Sequence, residues 1–266
     1  MDLQALLRFD YTVHALYDRP DLYDLDYQGY VAEAGFYHQL IERGLTPEQV
    51  YVELGAGSGR LLSTPLEQGI KCHAVEPNAH MLKALTKKAG LFEGKIHLSY
   101  EQASAHNFVG PKDLQIGLVS FPFNGLLHIF TREELLSSLQ HIHRQLGPQG
   151  RLALDIMAPA WEVMGMRELE WGRLDERRTA DSGELVYTYD KCYFEEKNHL
   201  IHSKLRFIKA NAKEGVELHY VQRMWTFQEV LAALVKVGFY IEEIYGDVDF
   251  SSYDEDSPRL LVVAAK

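Results

Sequence analysis

The segment Val50–Leu61, VYVELGAGSGRL, decides the fold prediction. A short apolar run contains Glu53, glycines follow at positions 55, 57 and 59, and helical apolar spacing begins at Arg60. Glycines at a strand-to-helix turn accept positive φ and let the backbone approach a ligand closely. A dinucleotide-binding loop of the form GxGxxG would need its third glycine at position 60, where this chain has arginine. The segment therefore predicts the first strand and the ligand-binding turn of an α/β sheet.

Strand-like apolar runs and helical stretches alternate over residues 50–157, a pattern typical of a parallel sheet with helices on both faces. Strands are predicted at Val50–Leu54, Ile70–Val75, Ile96–Tyr100, Leu114–Phe121, Arg151–Met157, Phe239–Tyr245 and Leu260–Ala265. Helices are predicted at Arg60–Glu67, Asn78–Lys88, Thr131–Leu146 and Phe227–Val237. The pattern thus indicates seven strands, mostly parallel, with the last strand expected as an antiparallel edge.

Two segments lie outside this alternation. The segment Tyr11–Tyr37 is dense in tyrosine and aspartate, and it lies within the first 48 residues, which are predicted to form a helical cap. From Leu185 to Trp225 apolar and polar residues alternate, with a turn near Lys197-Asn198, which indicates antiparallel strands. The predicted units are an N-terminal cap at 1–48, a core at 49–158 and 226–266, and an antiparallel insertion at 159–225 that roofs the site.

Composition limits the class of partner. The chain carries 27 Lys and Arg against 38 Asp and Glu, a net charge of −11, so a phosphate backbone is repelled and no nucleic acid is expected. Polar residues interrupt the most apolar long stretch, 114–130, so no membrane association is expected. Cys72 and Cys192 suit a reducing, cytoplasmic location. The histidines lack ligand spacing, so no metal is predicted.

A second acid follows the next predicted strand, Glu76 in CHAVEPNAHML. Together with the glycine loop it resembles class I S-adenosylmethionine-dependent methyltransferases. LVSFPFNGLLHIF, LGPQGRLALDI and the closing YGDVDF and SPRLLVVAAK resemble further motifs of this family, so the resemblance covers most of the chain. It implies a Rossmann-like α/β fold with a seven-stranded sheet, and S-adenosylmethionine as the cofactor.

The resemblance also implies the cofactor-binding residues. Glu53 would contact the ammonium group of the cofactor, and Glu76 would accept both ribose hydroxyls. Ser104 replaces the family's adenine-binding acid, and its hydroxyl can still accept a proton from the adenine amino group. Arg60 would pair with the cofactor carboxylate, and Tyr23 would close over the cofactor. The remaining predicted contacts are Gly55, Ala56, Gly57, Pro77, Ala105 and Phe121.

Within the family, the chain is similar to small-molecule N-methyltransferases, including sugar-amine dimethyltransferases and, more distantly, glycine N-methyltransferase. The similarity rests on Leu22-Tyr23-Asp24 in the cap, the stretch Phe123–His128 and the strand-rich insertion. It implies methyl transfer to a small-molecule acceptor, with an amine nitrogen favoured. His128 is the predicted base, because an imidazole takes up a proton near neutral pH, and Tyr27 is predicted as an acceptor-side hydroxyl.

Other interpretations remain open at the level of sequence. An O-, C- or protein methyltransferase would share the cofactor motifs, and so would a cofactor-binding module without catalysis. A nicotinamide oxidoreductase is disfavoured by Arg60 in place of the third glycine. A homodimer is one option for the assembly. Aromatic residues of the insertion favour a ring-shaped or partly apolar acceptor, and they include Trp161, Trp171, Tyr187, Tyr189 and Tyr193.

Overall fold

The computed structural model describes residues 16–28, 31–90, 97–159 and 171–266. The predictions for Ile96, for Trp161 and for parts of the cap and of the insertion lie outside these residues. The strands are, in chain order, β1 (Gln49–Leu54), β2 (Cys72–Val75), β3 (Leu98–Glu101), β4 (Gln115–Phe121), β5 (Leu146–Met157), β6 (Gly172–Arg178), β7 (Leu185–Glu195), β8 (Leu200–Lys209), β9 (Val216–Arg223), β10 (Tyr240–Tyr245) and β11 (Arg259–Ala265). The α-helices are α1 (Pro20–Asp26), α2 (Val31–Gly44), α3 (Ser63–Glu67), α4 (Ala79–Ala89), α5 (Arg132–Gln145) and α6 (Phe227–Val237).

Seven strands form one sheet in the order β10-β11-β5-β4-β1-β2-β3. The neighbours from β5 to β3 pair in parallel, whereas β11 is antiparallel to both β5 and β10. The predicted fold class is therefore confirmed. The edge position predicted for the last strand is wrong, because β11 lies between β5 and β10. Its residues Leu260–Ala264 are all nearly inaccessible to solvent, which suits an interior strand.

Local sequence determines most helix ends. α5 begins with a capping box, in which the Thr131 side chain accepts from the backbone N–H of Glu134 and the Glu134 side chain accepts in return from the backbone N–H of Thr131. α6 begins in the same way with Thr226 and Glu229. The helix predicted from Arg60 begins only at the first residue of α3, because the turns after the glycine loop continue up to that point.

Apolar side chains cover both faces of the large sheet. Alternate residues of β1, Val52 and Leu54, pack on the side of α5 and α6, whereas Tyr51 packs on the side of α2 and α4. β1 is buried along most of its length. A ligand can therefore contact polar groups only at the carboxyl end of this strand, as is usual in open α/β sheets. Within the described residues, no helix combines the length and apolarity that a bilayer crossing requires.

The second sheet is antiparallel throughout, in the order β6-β7-β8-β9. The turn predicted near Lys197-Asn198 is confirmed as a 3-10 turn, Glu196–Asn198, between β7 and β8. The sequence does not predict β6, because its charged residues GRLDERR show no apolar alternation. Leu16 and Leu25 of the cap pack beneath this sheet, so the cap lies between the sheet and the carboxyl edge of the core.

Candidate active site

The glycine loop follows β1 directly. Gly55 and Gly57 have φ of 64° and 57°, a conformation that favours glycine. The N–H of Ala56 donates to the carbonyl of Val75 at 3.1 Å, which joins the loop to the end of β2. A Cβ on Gly55 would lie 3.9 Å from the buried ring of Phe121 at the end of β4. The loop therefore presents bare backbone beside the ends of three strands.

Glu76 bridges this loop and α4. Its two carboxylate oxygens each accept a backbone N–H at 2.7 Å, from Gly57 and from Asn78. Burial raises the pKa of Glu76 to about 7, and the two hydrogen bonds lower it less. A carboxylate has about four acceptor positions, so both oxygens retain the capacity to accept a further hydroxyl. Pro77 is exposed, and its carbonyl accepts from the Gln102 side chain at 3.2 Å.

Glu53 lies in the wall behind the loop and is only 2% exposed. Burial raises its pKa to about 8, while the charge of Arg60 lowers it. A cation that reaches Glu53 would therefore stabilise its ionised form. The guanidinium carbon of Arg60 lies 3.9 Å from the ring centre of Phe123 and 5.3 Å from that of Tyr27, so both rings hold this side chain.

The residues predicted near the adenine lie in the loop after β3. The N–H of Glu76 donates to the carbonyl of Glu101 at 3.2 Å, so this loop runs beside Glu76. Ser104 is half-buried, and its N–H donates to the side chain of Asn107 at 2.8 Å. Ala105 is buried. The structure thus brings Ser104 and Ala105 to the same edge of the sheet as the glycine loop.

Four ring side chains connect the cap to the loop after β4, and we call them the aromatic row: His128, Tyr17, Tyr23 and Tyr27. The hydroxyl of Tyr17 lies 2.8 Å from Nε2 of His128. Ring centres are 5.8 Å apart between Tyr17 and Tyr23, and 4.6 Å apart between Tyr23 and Tyr27. Burial raises the pKa of both Tyr17 and Tyr23, so their hydroxyls stay protonated. Sequence reasoning missed Tyr17, which is the link to His128.

Three polar side chains fasten α1 to the glycine loop, and we call them the cap clamp: Asp24, Ser58 and Lys88. The Ser58 hydroxyl donates to Asp24 at 2.5 Å, and the Lys88 ammonium donates to Asp24 at 2.7 Å. Lys88 also donates to Ser58 at 3.0 Å. The cap is therefore bonded to the loop that the sequence assigns to the cofactor.

Asp155 of β5 is a further residue that sequence reasoning missed. Its buried carboxylate accepts the backbone N–H groups of Phe123 at 2.8 Å and Asn124 at 3.2 Å, and the hydroxyl of Tyr37. The Asn124 side chain accepts in turn from the N–H of Met157 at 2.6 Å. A lone acid within the apolar run RLALDIM was the available signal, since it parallels the acid in VYVEL.

A cavity lies between the cap, the loop after β4 and strand β9, and we call it the acceptor-side cavity. Three residues of the aromatic row, Tyr17, Tyr23 and Tyr27, line it. It contains two predicted site residues, Tyr23 and Tyr27, whereas His128 contacts its wall through Tyr17. Sequence reasoning did not predict its polar residues Glu33, Gln222 and Arg259 as site residues. The remaining lining residues are Phe123, Asn124, Met157 and Tyr220.

The structure also shows how the possible metal-binding side chains and the two cysteines are arranged. Within the described residues, no cluster of three or more His, Cys, Asp and Glu side chains has the geometry of a metal site. Cys72 and Cys192 are both free thiols, buried and half-buried respectively.

Residues 52–150 match the model of a protein family described as a methyltransferase domain. The matched stretch includes the glycine loop, Glu76 and the loop after β4 with His128. Over these residues the chain matches a methyltransferase domain, so the resemblance predicted from the sequence is confirmed, and so are the predicted enzyme class and the predicted cofactor, S-adenosylmethionine. Among curated proteins, none matches the chain.

Three solved structures illustrate the shared fold, each 19% identical to this chain. DesVI of Streptomyces venezuelae superposes with a TM-score of 0.72 over 92% of this chain and 96% of its own. The sugar N-methyltransferase KedS8 of Streptoalloteichus sp. has a TM-score of 0.67 over 92% of both chains. CalS10 of Micromonospora echinaspora, an amino pentose methyltransferase solved with bound S-adenosylmethionine, has a TM-score of 0.65 over 92% and 96%. At this identity the likeness establishes the fold.

Proposed function

We propose that this chain transfers the methyl group of S-adenosylmethionine to the nitrogen of a small-molecule amine. One observation carries the proposal: the residues predicted to bind the cofactor, after β1 and β2, and the predicted base His128, after β4, all lie beneath the cap, where the hydroxyl of Tyr17 is 2.8 Å from Nε2 of His128. The fold shared with a sugar N-methyltransferase and an amino pentose methyltransferase supports a nitrogen acceptor.

The residues at the glycine loop fit the cofactor. Gly55 and Gly57 offer a backbone surface without side chains, and each oxygen of Glu76 has capacity for one ribose hydroxyl. Glu53 would hold the ammonium group, and Arg60 would hold the carboxylate. The two buried acids also favour a cationic sulfonium ligand electrostatically. When bound, the cofactor supplies an electrophilic methyl group.

The remaining predicted contacts surround this position. Tyr23 of the aromatic row would close over the cofactor from the cap, and Ser104 would face the adenine amino group. Neighbouring backbone and apolar surface would come from Ala56, Pro77, Ala105 and Phe121.

His128 and Tyr17 together can take a proton from the acceptor without Tyr17 becoming a charged phenolate. When Nε2 of His128 accepts the Tyr17 hydroxyl, an amine that donates to the Tyr17 oxygen can pass its proton through that hydroxyl to the imidazole. The nitrogen then carries the lone pair that attacks the methyl group. We assign Tyr27, at the other end of the aromatic row, as an acceptor-side hydroxyl. Positioning of the two reactants supplies much of the remaining acceleration.

Calorimetric titration with S-adenosylhomocysteine tests the cofactor site. Glu76→Ala should weaken binding about tenfold, the effect of losing charge-assisted hydrogen bonds, whereas the exposed Glu67→Ala should leave it unchanged. Equal affinity in wild type and Glu76→Ala would count against the ribose contact.

A radiolabelled methyl-transfer assay with matched amines, alcohols and peptides tests the acceptor. Turnover with amines alone supports the proposal. Turnover with alcohols or peptides supports an O- or protein methyltransferase, and binding without any turnover supports a non-catalytic module.

We also propose a cytoplasmic location and a small-molecule rather than nucleic-acid partner. The free thiols of Cys72 and Cys192 support the first, and the net charge of −11 supports the second.

A further inference from the structure

The acceptor-side cavity is lined mainly by rings, but its wall also contains the carboxylate of Glu33. Glu33 is 7% exposed and lies in the first turn of α2. Its Oε1 accepts from Nη2 of Arg259 at 3.0 Å, and Arg259 is its hydrogen-bond partner within the described residues. The other carboxylate oxygen retains the capacity to bind a ligand donor.

The charge of Arg259 is more than balanced by its neighbours. Besides Glu33, its guanidinium lies 4.0 Å from the carboxylate of Asp155 and 3.7 Å from that of Asp247. Burial raises the pKa of Asp155. Even when Asp155 is protonated, two carboxylates face one guanidinium, so the local charge is negative. Arg259 is therefore already paired with acids, and Glu33 gives the cavity an acidic wall that suits a cation.

The rings around the cavity reinforce this preference. Tyr17, Tyr23 and Tyr220 contribute rings to its wall, beside Tyr27 and Phe123, which already hold Arg60. Burial raises the pKa of Tyr17 and raises that of Tyr220 to about 12, so these rings stay neutral. Neutral aromatic faces attract ammonium groups, most strongly where water is excluded.

Gln222 is an independent indication of a polar ligand. It is 8% exposed and lines the cavity from β9. Its side-chain amide can both donate and accept hydrogen bonds. Its presence fits a ligand that carries a second polar group.

We infer that the acceptor-side cavity binds the acceptor as an ammonium ion, with Glu33 as its counter-ion and the surrounding rings as its walls. Gln222 hydrogen-bonds a further polar group of the same molecule. The inference rests on the proposed function and narrows its substrate class to basic amines that have no anionic group next to the nitrogen.

The test uses the full chain saturated with S-adenosylhomocysteine and titrated by calorimetry. Cyclohexylamine and cyclohexanol have the same ring and differ in charge, and we expect the amine to bind about tenfold more tightly at neutral pH. Glu33→Gln should bring the two dissociation constants together, with the affinity for S-adenosylhomocysteine unchanged. Glu42→Gln, an exposed change on the same helix, should leave the preference intact.

Wild-type protein supplies a second comparison that does not depend on any variant. 1-Aminocyclohexane-1-carboxylate adds an anion beside the amine and should bind about tenfold more weakly than cyclohexylamine. The inference is wrong if the wild type does not prefer cyclohexylamine, if it binds neither ring compound, or if Glu33→Gln keeps the preference. Failure of the wild type to bind S-adenosylhomocysteine would instead contradict the proposed function.

Discussion

The carboxylate of Asp155 accepts a hydrogen bond of 2.8 Å from the backbone N–H of Phe123. Through this bond β5 holds a turn in which Phe123 and Asn124 have φ of 53° and 60°. Non-glycine residues in this conformation persist where their surroundings determine it, at a cost of about 1 to 3 kcal/mol each. The turn places the Phe123 ring 3.9 Å from the guanidinium carbon of Arg60. Asp155 thereby positions a residue assigned to the cofactor.

Asp155→Ala should lower the free energy of unfolding by about 2 to 4 kcal/mol, because two backbone N–H groups and the Tyr37 hydroxyl lose their acceptor. Urea unfolding measures this change. Asp247→Ala removes another carboxylate near Arg259, but one whose side chain is 41% exposed, so its effect should stay below about 1 kcal/mol. Similar losses in the two variants would show that Asp155 does not hold the turn.

Tyr17→Phe should reduce methyl transfer about 100-fold, the scale of a lost proton-transfer group, with little change in the affinity for S-adenosylhomocysteine. His128→Ala should reduce turnover to a similar degree. Because the two side chains are 2.8 Å apart and act together, the double variant should be scarcely slower than either single variant. Tyr240→Phe, at an exposed position, serves as the control. Multiplicative losses in the double variant would contradict a shared proton path.

The affinity of the wild type for S-adenosylhomocysteine should rise between about pH 6 and pH 8, because the pKa of Glu76 is about 7 and its ionised form accepts the ribose hydroxyls. Glu76→Gln should bind about tenfold more weakly at the upper end of this range and show a flatter pH profile. Calorimetry at a series of pH values measures both. An equally steep profile in the Gln variant would assign the titration to another group, such as Glu53.

Asp26→Asn should stabilise the fold at alkaline pH. Burial raises the pKa of Asp26 to about 6, against the effect of Arg177, so the folded chain binds this proton more tightly than the unfolded chain. Stability is therefore lost as pH rises from about 4 through about 6, and the neutral amide avoids this loss. We expect a gain of about 2 kcal/mol at pH 8 and almost none near pH 4.

Thermal or urea unfolding at the two pH values measures the Asp26→Asn effect. Asp21→Asn is the matched control on α1, because Asp21 forms an exposed ion pair with Arg19 and its loss should change stability by less than about 1 kcal/mol. No gain at pH 8 would mean that Arg177 compensates for the burial of the Asp26 carboxylate.

Features that depend on neighbouring residues could be predicted from the sequence. The glycine loop, the acid after β2 and the capping box of α5 each require a few adjacent positions. Partners far apart in the chain could not be predicted. Tyr17 and His128 are separated by 111 residues, and Glu33 and Arg259 by 226. The sequence around one residue does not show which of the many tyrosines and acids the fold brings into contact with it.

The cap clamp has a kinetic consequence. Ser58 belongs to the loop assigned to the cofactor and Asp24 belongs to α1, so α1 cannot move away from this loop without breaking the contact between Asp24 and Lys88. We expect exchange of S-adenosylhomocysteine for S-adenosylmethionine to pass through a state in which these two charges are separated. Mobile ions stabilise such a state, so we expect the off-rate of S-adenosylhomocysteine to increase with ionic strength.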